Sequence, residues 1–405
     1  MSEQDQERIY LDHQATTPVD ERVMEAMQPY FTEAFGNAAS NDHLFGVDAN
    51  QAVDEARNTI ADAIGAKSDE VIFTSGATES DNIAVFGVAE RYEDEGRHVI
   101  TCQTEHKAVL DPCEQLEERG WEVTYLPVDE HGLVDPDDVR DAIREDTTLV
   151  SIMMANNEVG TIAPVREIGA VAREHDAKFH TDAAQCLGHI PIDVEEMNIN
   201  LMSMSAHKCY GPKGVGALYR RRSRPRVNVT PQMYGGGHER GLRSGTLNVP
   251  AIVGFGKAVE IGLKEMEEEN ERFEAWTDRM FDRLQDELGD VERNGHPEQR
   301  LAHNLNVYIP GIESRALIVD LKETAIATGS ACTSADVEPS HVITAMYDDQ
   351  RAHSSSASAW DGRTRRRRST KRPGGLPRQR SSFGRSHSDN EKYRNWGGLR
   401  IVANV

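Results

Sequence analysis

Short apolar runs rich in β-branched residues alternate with helical patterns along most of the chain. The apolar runs predict five strands, at 71–74, 98–101, 148–153, 178–181 and 201–204. Apolar residues at helical spacing predict helices over 79–91 and 107–119, each shortly after one of these strands. Repeated strand–helix units are typical of an α/β fold with a mostly parallel sheet sandwiched by helices.

A longer helical pattern follows this region. Charged and apolar residues predict one helix over 256–290, which we place between two lobes. The length of 405 residues also favours two lobes. We predict a large domain over 16–260 and a smaller α+β domain made of 1–15 and 261–353. Residues 354–405 lack apolar periodicity, which predicts a basic, disordered tail.

The charge of the chain is distributed unevenly. The net charge is −23, but residues 351–405 hold 14 Lys and Arg against 3 Asp and Glu. The other 350 residues therefore hold 31 basic and 65 acidic side chains. A body this acidic repels nucleic acid and anionic membranes, so neither is an expected partner. It fits an ordinary soluble protein, or a halophilic one whose salt-rich cytoplasm screens the self-repulsion, and we favour the second.

Several features predict a cytoplasmic location. No apolar run approaches the ~18 residues that cross a bilayer. Residues 1–5 are polar and acidic, unlike a signal peptide. The five cysteines lie far apart without a C-x-x-C pair, which argues against a disulfide framework or a zinc ribbon. We therefore expect a reducing compartment and no resident metal.

Three groups of polar residues follow predicted strands. Residues 74–79 place small and hydroxyl side chains at a helix start, which suits a bound anion, although an ordinary capped helix is the commoner explanation of this pattern on its own. Asp182 ends a strand, where it is either a helix cap or a buried acid with a cationic partner. Lys208 follows an apolar strand and precedes a glycine-rich turn, although a lone lysine is more often an exposed charge.

Together the three groups suggest pyridoxal 5'-phosphate as cofactor. The helix start would hold the phosphate, Asp182 would keep the pyridine nitrogen protonated, and Lys208 would form the Schiff base. His106 follows another strand end, where its imidazole could stack on the ring. All these residues fall at the carboxyl ends of strands, where sheets of this class bind ligands.

At the level of longer motifs, the chain resembles the cysteine desulfurases of the IscS/NifS type. These enzymes belong to the class V aminotransferase superfamily and have the fold type I of pyridoxal-phosphate enzymes. The resemblance covers the chain from about residue 8 to 355. The matching stretches are 10–12, 15–18, 74–82, 104–111, 156–160, 182–185, 205–214, 235–239, 243–246 and 329–334.

The resemblance implies a role for each matching residue. The residues implied to bind the cofactor are Lys208, Asp182, Gln185, His106, Ala77, Thr78, Ser205, His207, Asn157 and Thr246. In this set, Gln185 would bind the ring hydroxyl, and Thr78, Ser205 and His207 would bind the phosphate. Thr246 would reach the phosphate of the other subunit, which implies a homodimer with shared sites.

Cys332 lies among glycine, serine, alanine and threonine, which predicts an exposed loop. A free cysteine is more often buried and inert, but the resemblance implies that Cys332 accepts sulfur from L-cysteine. Lys208 would remove the substrate's Cα proton, His106 would carry a proton, and alanine would leave. An iron–sulfur scaffold protein or a tRNA-thiolation enzyme would then receive the sulfur, and Cys332 could present it to a nascent iron–sulfur cluster.

Two other functions stay open. The chain could be a different class V enzyme, such as a transaminase or a selenocysteine lyase, although a transaminase needs no thiol at Cys332. It could also bind the cofactor without turnover, because the family's carboxylate-binding arginine is absent after 353–355. Codons for 356–362 can encode the family's usual stretch in the adjacent frame, so we interpret the tail as a frameshift near residue 355.

Overall fold

A computed structural model of the chain describes residues 8–321, 323–327 and 339–359. Its strands are β1 (Ile9–Tyr10), β2 (Val71–Thr74), β3 (His98–Cys102), β4 (Glu122–Leu126), β5 (Thr147–Ser151), β6 (Lys178–Asp182), β7 (Leu201–Ser205), β8 (Gly216–Arg220), β9 (Glu292–Arg293), β10 (Asn304–Tyr308), β11 (Thr324–Ala325) and β12 (Ser355–Ala359). Its helices are α1 (Glu21–Met27), α2 (Pro29–Thr32), α3 (Leu44–Ala63), α4 (Ala77–Tyr92), α5 (Lys107–Glu118), α6 (Pro136–Ala142), α7 (Val165–Glu174), α8 (Val249–Leu288), α9 (Ser314–Asp320), α10 (His341–Met346) and α11 (Asp349–His353).

A seven-stranded sheet in the order β2-β8-β7-β6-β5-β3-β4 forms the centre of the fold. Only β8 runs antiparallel to its neighbours in this sheet. The five strands predicted from the sequence all lie in it, and the helices predicted after two of them correspond to α4 and α5. The predicted α/β class with a mostly parallel sheet is therefore confirmed.

Alternate residues of each strand enter cores on opposite faces of the sheet. In β2, Phe73 packs in the core that faces α3 and the first half of α8, whereas Ile72 packs against α4 and α5. In β5, Val150 packs in the first of these cores and Leu149 packs in the second. Burial on both faces explains why these strands are continuous apolar runs in the sequence.

The predicted long helix corresponds to α8, which begins seven residues before the predicted start at 256. The Asn248 side chain caps it by accepting from the Ala251 N–H at 3.3 Å. Farther along α8, Phe273 and Met280 join a separate core with Leu11 and Leu305. This packing is what we expect if the N-terminal segment belongs to the small domain, and the division into domains stays a proposal.

The structure corrects the start of the predicted disordered tail. Residues 355–359 form β12, which pairs antiparallel with all five residues of β10. Strand pairing uses backbone hydrogen bonds, so a serine- and alanine-rich stretch without apolar periodicity can form a strand beside an apolar neighbour. The rest of the predicted tail, 360–405, lies outside the described residues.

Candidate active site

The carboxyl ends of β2, β3, β5, β6 and β7 lie at one edge of the central sheet, because β2 is parallel to β7 through two antiparallel pairings with β8. A cavity of about 490 Å³ opens at this edge. The predicted site residues that line it are Ala77, Thr78, His106, Asn157, Asp182, Gln185, Ser205, His207 and Lys208. The fold thus brings together residues that are up to 131 positions apart in the chain.

The N-terminus of α4 forms one wall of the cavity. Gly76 precedes the helix with φ of +153°, and α4 has no side-chain cap. The N–H groups of its first turn, at Ala77 and Thr78, are therefore left for a ligand. A Cβ at position 76 would lie 4.0 Å from the Ser205 hydroxyl, which is an ordinary contact distance, so the φ of +153° is the reason that glycine is favoured here.

His207 adds a neutral donor to the same corner. Its Nδ1 lies 3.1 Å from the Thr16 hydroxyl. Burial, followed by the charges of Lys208 and Lys213, lowers the pKa of His207 to about 4. With backbone N–H groups, hydroxyls and a lysine around it, this corner is suited to an anion such as a phosphate.

Lys208 lies in a short 3₁₀ helix, Ala206–Lys208, directly after β7. Its Nζ donates a hydrogen bond to the backbone carbonyl oxygen of Gln14. The Gln185 side chain donates to the same oxygen at 3.0 Å. The N-terminal segment therefore closes one side of the cavity over the lysine.

Asp182 ends β6, and its Oδ1 accepts a hydrogen bond from the Ala184 N–H at 2.8 Å. Burial raises the pKa of the Asp182 carboxyl, whereas this hydrogen bond and the charges of His106 and Lys208 lower it. A cationic ring nitrogen placed against this buried carboxylate would be strongly stabilised.

His106 caps α5, and its Nδ1 accepts a hydrogen bond from the Ala108 N–H at 3.1 Å. The neutral ring therefore has its proton on Nε2. Burial lowers the pKa of His106; Asp182 raises it, and Lys208 and His341 lower it. The neutral ring can therefore donate a hydrogen bond through Nε2 and take part in a proton transfer in the cavity.

Comparison with known proteins identifies the family. The family model "Aminotransferase class-V" matches residues 9–355. The cysteine desulfurase IscS of Anaeromyxobacter dehalogenans is 54% identical over 348 residues, which is 86% of this chain and 86% of that protein. The chain belongs to the class-V aminotransferase family and, within it, to the cysteine desulfurases.

Solved structures agree with this assignment. The structure of a NifS-like protein covers 87% of this class-V aminotransferase and 93% of its own chain. Its sequence is 38% identical, and the TM-score is 0.80. SspA in complex with cysteine is also 38% identical, with a TM-score of 0.77, over 87% of this chain and 98% of that chain. The predicted fold type I and dependence on pyridoxal phosphate are therefore confirmed.

The donor set of this class-V aminotransferase fits pyridoxal phosphate. The corner at α4, Ser205 and His207 offers donors for the phosphate, Asp182 offers an anion for the ring nitrogen, and Lys208 offers a primary amine for the aldehyde. Each functional group of the cofactor thus has a chemically matched partner in one cavity.

The site also contains residues to which the sequence analysis gave no role. Asp12 and Gln14 line the cavity, and the Lys208 charge lowers the pKa of Asp12, which burial raises. Asp12 ends the motif 10–12, and Gln14 directly precedes the motif 15–18. The family resemblance therefore marked this region, but neither the predicted strand ends nor the residue spacing indicated a contact with Lys208. Glu158, also in a matching motif, lines the cavity as well.

Two of the predicted site residues are not in this cavity. Thr246 is exposed on the segment before α8 and does not line it. Cys332 lies outside the described residues, five positions after Ala327, which lines the cavity. The other four cysteines are buried, which confirms that they are interior residues. Burial raises the pKa of Cys209, the neighbour of Lys208, to about 12.

The described part of this class-V aminotransferase contains neither a cluster of metal ligands nor a membrane-spanning helix. Its His, Cys, Asp and Glu side chains form no group of three or more with the geometry of a metal site. None of the helices described combines the length and apolar character needed to cross a bilayer.

Proposed function

We propose that this cysteine desulfurase converts L-cysteine to L-alanine at Lys208 and transfers the sulfur to Cys332 as a persulfide. The observation that supports it best is the convergence of Lys208, Asp182 and the start of α4 in one cavity. The similarity to IscS proteins supports the same reaction over a transaminase reaction.

Each residue of the cavity contributes a separate task to this proposal. Bound pyridoxal phosphate supplies an electron-withdrawing ring that makes the substrate's Cα proton acidic. Lys208 binds the cofactor and moves that proton through Nζ. Asp182 holds a negative charge beside the ring nitrogen, and the α4 start with Ser205 and His207 binds the phosphate.

The sulfur transfer itself belongs to Cys332. Its thiolate attacks the substrate sulfur, a sulfur–sulfur bond forms, and the substrate's carbon–sulfur bond breaks. The electron pair of that bond stays with the carbon skeleton, which is protonated to alanine. His106, which lines the cavity and has a proton on Nε2, is the candidate to carry a proton in this step.

The chain on both sides of Cys332 supports its access to the site. Ala327 lines the cavity, and five extended residues span at most about 18 Å. On the other side, the Ser340 hydroxyl donates a 2.5 Å hydrogen bond to Glu158, which also lines the cavity. Both flanks of Cys332 therefore start from the edge of the site.

The wider setting is also part of the proposal. The enzyme acts as a cytoplasmic homodimer in which Thr246 of each subunit completes the phosphate site of the other, and the exposed position of Thr246 supports this. An iron–sulfur scaffold protein or a tRNA-thiolation enzyme accepts the sulfur. The acidic composition supports adaptation to high salt.

Substitution of the lysine tests the cofactor part. Lys208→Ala is expected to bind pyridoxal phosphate only reversibly and to lose the visible band that borohydride bleaches in the wild-type enzyme. Lys213→Ala is the matched control, because Lys213 also lines the cavity. An unchanged, borohydride-sensitive band in Lys208→Ala contradicts the proposal.

A second substitution tests the sulfur acceptor in a chain whose frame is restored after Ser355. Cys332→Ser is expected to keep the cofactor spectrum and to lose persulfide formation and sulfide release. Cys209→Ser is the control, because that thiol is buried and its raised pKa keeps it protonated. Full desulfurase turnover in Cys332→Ser rules out this nucleophile.

A further inference from the structure

Asp81 is a second aspartate at the candidate active site, in addition to Asp182. It lies on α4, its side chain is fully buried, and it contributes to the lining of the cavity. Neither of its carboxyl oxygens has a hydrogen bond of normal geometry to any described residue. A buried ionised carboxylate without such partners is strongly unfavourable, so the position needs an explanation.

The groups that face Asp81 do not supply a positive charge. His180 on β6 is nearest, with its Nε2 3.6 Å from the Asp81 Oδ1. Burial lowers the pKa of His180 to about 3, so its ring is neutral near pH 7. Ser203 on β7 contributes a hydroxyl, and Asp182 and Glu105 contribute two further acids. Within the described residues no lysine or arginine pairs with Asp81.

Asp182 has the partners that Asp81 lacks. The Ala184 N–H donates to it, and the charges of His106 and Lys208 favour its ionised form. Burial and then the neighbouring Asp182 raise the pKa of Asp81, more than Ser203 lowers it. Ionising both of two neighbouring buried carboxyls is energetically unfavourable. A shared proton therefore goes to the carboxyl that has fewer partners to stabilise its negative charge.

We propose that Asp81 is a positioning residue that stays protonated in the folded enzyme and so keeps the single negative charge of the Asp81–Asp182 pair on Asp182. The proposal rests on the proposed function, in which Asp182 is the partner of the cofactor's ring nitrogen. A protonated Asp81 has a hydrogen to donate, and the Ser203 hydroxyl, which lies 3.0 Å from the His180 Nε2, is the acceptor on the side it faces.

The pH dependence of stability tests the protonation. Asp81→Asn keeps the shape of the side chain and removes its titration. A folded-state pKa above that of the unfolded chain means that the wild-type enzyme loses stability as pH rises, because unfolding releases the proton. The Tm of Asp81→Asn holoenzyme minus that of wild type is therefore expected to increase by several degrees from about pH 5 to about pH 8.

The opposite result is well defined. If Asp81 is ionised in the folded enzyme, its pKa lies at or below the unfolded value of about 3.9, the Tm difference stays flat from about pH 5 to about pH 8, and the proposal is wrong. Asp141→Asn, at an exposed aspartate of α6, is the matched control and is expected to give a flat difference.

A measurement on the wild-type holoenzyme covers the case in which Asp81→Asn does not fold. Infrared spectra with isotope-labelled aspartate are expected to show a protonated-carboxyl band that shifts with the label, and a spectrum without it overturns the proposal.

Asp182→Asn separates the protonation of Asp81 from the proposed function. We expect this variant to bind pyridoxal phosphate more than about tenfold more weakly than the wild type. Undiminished binding contradicts the role of Asp182, whereas the pH dependence of the Tm difference between Asp81→Asn and wild type tests Asp81 separately.

Discussion

At the scale of single residues, burial keeps several histidines neutral around Lys208. The His189 Nε2 lies 3.2 Å from the Lys208 carbonyl oxygen, and the His189 and His303 rings are 4.5 Å apart. Burial, followed by the charges of His189, His13 and Arg300, holds the pKa of His303 well below its usual value. Burial also lowers the pKa of His13 to about 4. This cluster joins the N-terminal segment, the loop between β6 and β7, and the segment before β10.

These neutral histidines predict acid sensitivity. Their folded-state pKa values lie below the unfolded value of about 6.5, so the unfolded chain binds more protons and stability falls as pH drops below about 6.5. The Tm of the wild-type enzyme is expected to decrease from about pH 6.5 to about pH 4.5, and His303→Gln is expected to decrease less. His175→Gln, at an exposed histidine, serves as the control and should follow the wild type. Equal slopes in all three proteins would disprove the assignment.

At the scale of elements, one buried ion pair joins α3, β2 and the segment that precedes α8. The Arg57 guanidinium on α3 donates to both oxygens of Glu239, at 2.7 and 2.8 Å. Glu239 also accepts from the Phe73 N–H at 2.7 Å, and the guanidinium lies 4.6 Å from the Phe73 ring centroid. This bidentate pair therefore fixes three elements whose residues are up to 182 positions apart.

Breaking this pair is expected to destabilise the fold. Arg57→Met removes the cation but leaves Glu239 buried without its partner, which costs about 3–5 kcal/mol of unfolding free energy. Denaturant unfolding of the holoenzyme measures the loss. Arg166→Met removes a surface partner of Glu196 and is expected to change the unfolding midpoint little. A similar small change in both variants would show that the buried pair is not important for stability.

At the scale of the whole molecule, similarity to the family and the acidic composition end at the same place. The family model stops at residue 355, and the basic stretch that follows, 363–405, holds 13 Lys and Arg against 2 Asp and Glu. Strand β12 continues to Ala359 and completes the three-stranded sheet β12-β10-β9. The sheet β12-β10-β9 therefore includes residues beyond the end of the family match.

The tail as written is expected to weaken turnover more than cofactor binding. On our frameshift interpretation, the chain lacks the arginine that the family resemblance implies for the substrate carboxylate, and such a pair contributes roughly 1.5–3 kcal/mol, or about one to two decades in affinity. Lys208, Asp182 and the start of α4 precede the tail and should still bind pyridoxal phosphate. Restoring the adjacent frame after Ser355 is expected to recover turnover and solubility together. Equal activity and solubility of the two chains would contradict the frameshift interpretation.

Local features of the fold could be predicted from the sequence because their causes are local. Strand β2 was predicted over its full observed range, 71–74, because both of its faces are apolar. The start of α8 was predicted too late, since its cap at Asn248 lies outside the apolar pattern used for the prediction. Strand β4 was not predicted, because it lies at the edge of the sheet with four of its five residues partly or fully exposed.

The sequence by itself determined the α/β class, the strand ends that carry Asp182 and Lys208, and the family motifs around them. Only the tertiary structure decided which distant residues meet: the Gln14 carbonyl reaches Lys208 across 194 positions, and Asp81 shares its burial with Asp182. The physical reason is that periodicity and turn residues act between near neighbours. Contacts and pKa shifts at the site depend instead on how complete elements pack, and no local pattern records this.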